Sequence, residues 1–118
     1  MKKTTGNLGE ELAAKYLKKQ GMKILERNFR TARGEIDIVA KDDDQLVFVE
    51  VKTNRRGNSV APELRVNVTK QKKLGKMAQQ YLQNTSTTDT DCRFDVIGVI
   101  LNEKGKHDIS HIRNAFWL

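Results

Sequence analysis

The chain is poor in cysteine, proline and aromatic residues, and it has no long hydrophobic run. Its single cysteine, Cys92, excludes an internal disulfide, and with only His107 and His111 beside it the chain does not supply a structural zinc site. No apolar run approaches the roughly 20 residues needed to cross a bilayer. The basic N-terminus leads into a polar segment without the apolar core of a signal peptide. We therefore expect a cytoplasmic protein without a membrane partner.

The residues that are present indicate one globular domain with a basic charge balance. With 118 residues, 37% of them hydrophobic and 31% charged, the chain has the length and composition of a single domain spanning residues 1–118. The 22 lysines and arginines outnumber the 15 acidic residues, which gives a net charge of +7. This balance favours polyanions as partners, although simple solubility explains it equally well.

Hydrophobic periodicity predicts two helices and five strands in the order α-β-β-β-α-β-β. The helices are predicted at about residues 7–20 and 69–82, and the strands at about 22–29, 34–40, 46–52, 93–101 and 107–112. The fourth strand is apolar along most of its length and is predicted to be interior, whereas the fifth alternates like an edge strand. Asn7 and Glu10 have the spacing of a capping pair at the start of the first helix. The pattern predicts an α/β or α+β sheet flanked by helices.

Two successive predicted strands carry charged residues that alternation places on shared faces. Asp37 projects with Glu35, and Glu50 projects with Lys52. The short polar segment 41–45 between the strands is typical of a hairpin connection, which brings Asp37 near Glu50. Charges in an apolar strand are costly unless they are paired with each other or with a metal ion. We therefore expect two acids and a lysine to converge.

This set of side chains suits the hydrolysis of phosphodiester bonds. Carboxylates such as Asp37 and Glu50 hold a cation that neutralises the phosphate and lowers the pKa of a bound water. The Val51 carbonyl offers a neutral oxygen ligand, and Lys52 is placed to orient or deprotonate the water or to stabilise developing charge. The structural alternative is a buried ion pair between Lys52 and one of the two acids.

Basic residues outside this set are candidates for contacts with nucleic-acid phosphates. They are Arg30, Arg33, Arg55, Arg56, Lys70 and Lys73. Residues 53–62 have the local signals of a loop, and this loop is a candidate substrate-binding flap. Lysines at the start of the second helix oppose the helix dipole, which is easier to understand if an anion binds there. Solvated surface charges are the alternative for each of these residues.

The charged strands also carry a resemblance to a known family. Asp37, followed by Glu50-x-Lys52 at the end of an apolar strand, resembles the PD-(D/E)xK nuclease signature in the variant of archaeal Holliday junction resolvases. Ile36 stands where the name of the motif has proline. A closer resemblance, to the small bacterial YraN-like family (UPF0102 type), runs almost from end to end. It rests on Gly6, Glu10, Ala13 and Leu17, Asn28-x-Arg30, Gly34-Glu35-Ile36-Asp37, Phe48-Val49-Glu50-Val51-Lys52, Lys70-Gln71 and Arg93-Phe94-Asp95-Val96.

The resemblance implies a restriction-endonuclease-like α/β fold, with a mixed central sheet flanked by helices. It implies a nuclease dependent on Mg²⁺ or Mn²⁺ that acts on DNA, either branched like a Holliday junction or single-stranded. A homodimer is implied as well, and the apolar terminus 115–118 is expected to dock on the domain or on a partner subunit. The alternative is a catalytically silent nucleic-acid-binding module on a nuclease scaffold.

The resemblance also implies roles for individual residues. It makes Glu10 a further acidic metal ligand and catalytic residue, with Glu11 as the competing choice. It places Gln71 near the scissile phosphate. Asp95 is expected to be structural, paired with Arg93 or with a backbone group.

Overall fold

Two helices flank one five-stranded sheet in the computed structural model, which describes residues 5–55, 64–102 and 104–116. The elements are α1 (Thr5–Lys19), β1 (Lys23–Thr31), β2 (Gly34–Asp42), β3 (Gln45–Arg55), α2 (Val68–Asn84), β4 (Cys92–Leu101) and β5 (His107–Phe116). This order confirms the one predicted from periodicity. Neither helix within the described ranges is long and apolar enough to cross a membrane.

The sheet is mixed, and its strands lie in the order β1-β2-β3-β4-β5. The pair β3 and β4 is parallel, whereas the other three pairs are antiparallel. A parallel pair requires a crossover connection, and α2 lies on that connection. The predicted interior position of β4 and the edge position of β5 are confirmed. So is the α/β class, a restriction-endonuclease-like mixed sheet flanked by helices.

The two faces of the sheet pack against different helices. On β3, Val47 and Val49 belong to the hydrophobic cluster that contains Leu17 of α1. Phe48, which points to the opposite face, belongs to the cluster that contains Leu74 of α2. Glu50 accepts a hydrogen bond from Lys70 of α2 and therefore lies on the same face as Phe48. The predicted separation of the valines from Glu50 is confirmed.

The prediction of a loop at residues 53–62 is wrong for the first residues of this range. β3 continues through Arg55, and Thr53, Asn54 and Arg55 are paired in parallel with residues of β4. Local sequence signals favour a loop there, but hydrogen bonding to a distant strand overrides them. The rest of the predicted flap, which includes Arg56, lies outside the described residues.

The apolar end of the chain docks on the domain through Phe116. Its ring stacks on that of Phe94, with the two ring centroids 4.8 Å apart, and both residues are buried. Trp117 and Leu118 lie outside the described residues.

Candidate active site

At one end of the sheet, β2 and β3 diverge and their pairing ends; we call this point the opening between the two strands. Their last paired residues in this direction are Ile38 and Val49. Beyond them, Oδ2 of Asp37 accepts a hydrogen bond from the Val51 amide at 2.8 Å. A side-chain carboxylate therefore takes the backbone donor that a continuing strand would use.

An irregularity in the strands puts Asp37 at this opening. Ile36 packs in the cluster under α2, whereas Ile38 packs in the cluster under α1, although residues two apart in a regular strand share a face. On β1, Asn28 lies opposite this point and has a left-handed backbone with φ 56°. Asparagine tolerates this conformation better than most residues. The two strands thus depart from regular geometry together at Asn28 and Asp37.

Three carboxylates from two elements meet here, and we call Glu10, Glu35 and Asp37 the carboxylate cluster. One oxygen atom from each lies within 4.8 Å of the other two. The amide Nδ2 of Asn28 donates to Oε1 of Glu10 at 2.6 Å and to Oε1 of Glu35 at 3.1 Å. Arg30 Nε donates to Oε2 of Glu35 at 3.0 Å. A neutral amide therefore holds together two acids that would otherwise repel each other.

Glycine allows α1 to bring its acid into the cluster. Gly9 is buried against β3, and a Cβ at this position would overlap the side chain of Thr53. The helix therefore approaches the sheet closely at Gly9, which places the next residue at the opening. The structure brings Glu10 into the carboxylate cluster, and Glu11 is not part of it.

The environment of Asp37 disfavours its charged form. Burial raises the pKa of Asp37, and the neighbouring charges of Glu50, Glu10 and Glu35 raise it further, whereas the hydrogen bond from the Val51 amide lowers it. The result is a pKa of about 7, against an ordinary value of 3.8. A divalent cation at this point would reverse the balance, because it would offset the repulsion among the carboxylates.

Glu50 is not one of these three acids, but its charge acts on Asp37, and one of its own oxygens is paired while the other is unpaired. Its Oε1 accepts a hydrogen bond from Lys70 Nζ at 2.8 Å. Its Oε2 is buried and has no hydrogen-bond partner among the described residues. An unsatisfied buried carboxylate oxygen is costly. Oxygen ligands of this kind are what Mg²⁺ and Mn²⁺ prefer, so the residues present fit a hard divalent cation.

Two of the predicted site residues contact the backbone that precedes α2. Lys52 Nζ donates to the carbonyl of Arg65 at 2.8 Å, and Gln71 Nε2 donates to the carbonyl of Val66 at 2.7 Å. Glu50 is paired with the ammonium of Lys70. Lys52 and Gln71 help to fix the chain that leads into α2.

A cleft of about 450 Å³ adjoins the carboxylate cluster, and we call it the basic cleft. It is lined by Arg33, Gly34, Glu35, Asn67, Thr69, Lys70, Lys73 and Met77. Glu35 belongs to both the cleft and the cluster, so the two are continuous. Three of the predicted phosphate-binding residues meet in the cleft, namely Arg33, Lys70 and Lys73. Arg30 instead pairs with Glu35, and Arg55 is exposed at the end of β3.

Two residues of the site were not predicted as functional from the sequence. Glu35 shares the Gly34-Glu35-Ile36-Asp37 motif with Asp37, and the alternation of side chains already places both on one face. That signal was sufficient to find it. Asn28 is one of the residues that carry the family resemblance, but the sequence assigns it no role, because that role depends on a left-handed backbone and on the approach of α1 to the sheet.

Asp95 has the structural role expected for it. Its side chain is 0% exposed, and it accepts hydrogen bonds from Arg93 Nε at 3.0 Å and from the Asn114 amide at 3.0 Å. Its other oxygen lies 2.8 Å from Nε2 of His111. Burial alone would raise the pKa of Asp95, but the hydrogen bonds from His111, Arg93 and Asn114 outweigh it and lower the pKa.

Comparison with known proteins identifies relatives over almost the whole chain. The family described as "Uncharacterised protein family UPF0102" matches residues 9–99. A UPF0102 protein of Pelobacter propionicus is 47% identical over 118 residues, covering 98% of this chain and 84% of the relative. A UPF0102 protein of Syntrophomonas wolfei is 48% identical over 116 residues, covering 98% of this chain and 100% of the relative. These names state no activity.

Proposed function

The chain belongs to the uncharacterised protein family UPF0102, and we propose that it is a metal-dependent endonuclease that hydrolyses phosphodiester bonds of DNA. Branched, Holliday-junction-like DNA or single-stranded DNA is the proposed substrate. A homodimer is part of the proposal for a four-way junction, because such a junction is cut on two strands.

The observation that supports this proposal is the carboxylate cluster itself, together with Glu50, whose charge acts on Asp37 and whose Oε2 is buried without a hydrogen-bond partner among the described residues. Burial and the charges of the neighbouring acids disfavour the charged form of Asp37, as its raised pKa reflects. Within the cluster, Asp37 and Glu10 would hold Mg²⁺ or Mn²⁺. Glu50, with its unpaired oxygen, and the Val51 carbonyl are the further ligands of this proposal. A bound ion supplies neutralisation of the phosphate and lowers the pKa of the attacking water.

The other residues bind and position the substrate in this proposal. Arg33 and Lys73 line the basic cleft and hold the phosphates on one side of the scissile bond. Asp37 loses its proton when the site is loaded, because its pKa of about 7 belongs to the protein without a cation. Lys52 lies two residues from Glu50 on the same face of β3 and is the candidate for orienting the water.

A cleavage assay tests the proposal. Four-way junction, flap, single-stranded and duplex DNA would be incubated with the native chain in Mg²⁺ or Mn²⁺, and again with Asp37→Asn and Lys52→Ala. Asparagine keeps an acceptor for the Val51 amide but cannot become a carboxylate ligand. We expect Asp37→Asn to lower the cleavage rate by at least about 100-fold. Asp44→Asn is the matched control, since Asp44 is exposed in the turn between β2 and β3, and it should cut like the native chain.

The same assay identifies the competing function. The ion pair between Lys70 and Glu50 neutralises the charge of one acid without a metal, which favours a catalytically silent nucleic-acid-binding module. Tight DNA binding by the native chain, without cleavage of any substrate in either metal, would establish that module. Metal-dependent cutting that persists in Asp37→Asn would contradict the proposed site.

A further inference from the structure

We propose that Lys70 exchanges between two positions, pairing with Glu50 when no metal is bound and moving onto a DNA phosphate in the basic cleft when a divalent cation takes Glu50. This inference rests on the proposed function and adds a regulatory property to it. Metal binding and polyanion binding then strengthen each other, because each removes Lys70 from competition with the other.

The first position is the ion pair in the structure. Lys70 Nζ lies 2.8 Å from Oε1 of Glu50, and the side chains are 49% and 12% exposed respectively. The ammonium therefore neutralises a largely buried acid from the solvent side. Since Oε2 of Glu50 has no partner among the described residues, this pairing satisfies only half of the carboxylate.

The second position is already lined by the same side chain. Lys70 contributes to the basic cleft together with Arg33 and Lys73. Its backbone amide donates to Oδ1 of Asn67 at 2.8 Å, which fixes the first turn of α2. The exchange therefore needs a change only in the flexible four-carbon side chain of Lys70, while the helix stays in place.

The charges around Lys70 determine which of the two positions it occupies. An ammonium near the start of a helix is disfavoured by the helix dipole, so Lys70 depends on an anion at that point. A divalent cation on Glu50 repels Lys70 and removes its partner, and a phosphate in the basic cleft then offers Lys70 an anion in place of Glu50. By linkage, the factor by which metal tightens DNA binding equals the factor by which DNA tightens metal binding.

The test compares Lys70→Met with Lys73→Met, which removes a lysine of the same cleft that lies one helical turn away. Titration calorimetry with Mn²⁺ measures metal affinity, and fluorescence anisotropy measures binding of a four-way DNA junction in EDTA and in Ca²⁺. We expect Lys70→Met to bind Mn²⁺ about fivefold more tightly, since a competing half-exposed ion pair is gone. Its gain in junction affinity on adding Ca²⁺ should shrink.

Lys73→Met should behave differently, because Lys73 has no part in the exchange. Its Mn²⁺ affinity should equal that of the native chain, and it should weaken junction binding equally in EDTA and in Ca²⁺. Lys70→Gln, which keeps a hydrogen-bond donor for Glu50 without the charge, should follow Lys70→Met. This second variant separates loss of charge from any local disturbance around the unpaired acid.

Two failures are distinguishable. If both Lys70 variants match Lys73→Met in Mn²⁺ affinity and keep the native gain from Ca²⁺, the exchange is overturned and the nuclease proposal stands. If the native chain binds no Mn²⁺, both the exchange and the proposed metal-dependent activity fail.

Discussion

Asp37 occupies an environment that opposes its own charge. It is half-buried, three other carboxylates act on it, and the Val51 amide is a hydrogen-bond donor to it. The stability of the fold does not explain this arrangement, since an uncharged residue at the same place would remove the unfavourable free energy of the buried carboxylate. Carboxylates with raised pKa values cluster at functional sites, and this is the physical reason to treat Asp37 as the centre of the site.

The raised pKa predicts how stability depends on pH. The folded chain retains a proton on Asp37 up to about pH 7, whereas the unfolded chain releases it near the ordinary value of 3.8. The associated stabilisation is present at low pH and is lost as pH rises through about 7. Between pH 5 and pH 8 we expect the native chain to lose about 2–3 kcal/mol more unfolding free energy than Asp37→Asn does.

Urea unfolding of both proteins at the two pH values measures this difference. Asp44→Asn provides the control, because its exposed carboxyl lies in the turn outside the cluster, and its profile should follow the native one. Parallel profiles for Asp37→Asn and the native chain would show that Asp37 keeps an ordinary pKa.

Single residues were predictable where alternation alone decides their position. The sequence places Glu35 with Asp37 and Glu50 opposite the valines of β3, because a strand has a period of two. It could not pair Lys70 with Glu50, since that contact joins residues 20 apart through the packing of α2 on the sheet. The sequence also gave no reason to place Lys52 against the carbonyl of Arg65.

At the scale of elements, the site depends on how closely α1 lies on β3. Gly9 is buried at the contact with Thr53, and Glu10 follows directly. Gly6 lies in the same helix, but a Cβ added there would meet nothing within 4 Å. Substitutions at these two glycines therefore distinguish the effect of a residue's helix propensity on stability from the effect of the distance between α1 and the sheet.

This contrast gives a prediction for two matched substitutions. Gly9→Ala should destabilise the fold by about 1–3 kcal/mol, because its methyl group overlaps Thr53 and forces α1 away from the sheet. It should also weaken Mn²⁺ binding, since Glu10 moves with the helix. Gly6→Ala should be neutral or stabilising by up to about 1 kcal/mol, since alanine is the better helix former. Urea unfolding and calorimetry measure both effects, and equal behaviour of the two variants would contradict the proposed packing role.

The elements themselves were predictable because their patterns are local. Amphipathic spacing located both helices, and apolar runs located all five strands in order. The extension of β3 to Arg55 was missed because only its pairing with β4 makes that segment a strand. The change of face between Ile36 and Ile38 was missed for a related reason, since a regular alternation is the only rule that sequence supplies.

At the scale of the whole molecule, the candidate site is acidic although the net charge of the chain is positive. The chain carries a net charge of +7, yet its candidate site is a concentration of acids beside a basic cleft. The overall charge attracts a polyanion, whereas the carboxylate cluster repels the phosphate nearest to it. In the proposed function, a divalent cation would remove this conflict by neutralising the acids next to the phosphate.

A buried polar network joins the layers of the molecule around Asp95. Arg93, which binds Asp95 of β4, also contacts β2 and β3. Its Nη1 donates to Oδ2 of Asp42 and to Oε1 of Gln45, each at 2.9 Å. His111 of β5 lies between Asp95 and the hydroxyl of Tyr16 on α1, which is 3.1 Å from its Nδ1. One carboxylate thereby fixes four strands and a helix relative to one another.

This network predicts that Asp95→Asn destabilises the whole fold. The substitution keeps the size of the side chain but removes the charge that compensates Arg93 in a site with no solvent exposure, so we expect a loss of about 2–4 kcal/mol. Asp89→Asn is the matched control, because Asp89 is exposed and its φ of 53° suits asparagine equally. That variant should stay within about 0.5 kcal/mol of the native chain in urea unfolding.

The lowered pKa of Asp95 makes this stabilisation depend on pH. The contribution of Asp95 to the unfolding free energy is present above its ordinary pKa and is lost as pH falls through the lowered pKa, so the stability difference between the native chain and Asp95→Asn should close in acid. A gap that is constant down to acid unfolding would show that Asp95 contributes by shape and not by charge.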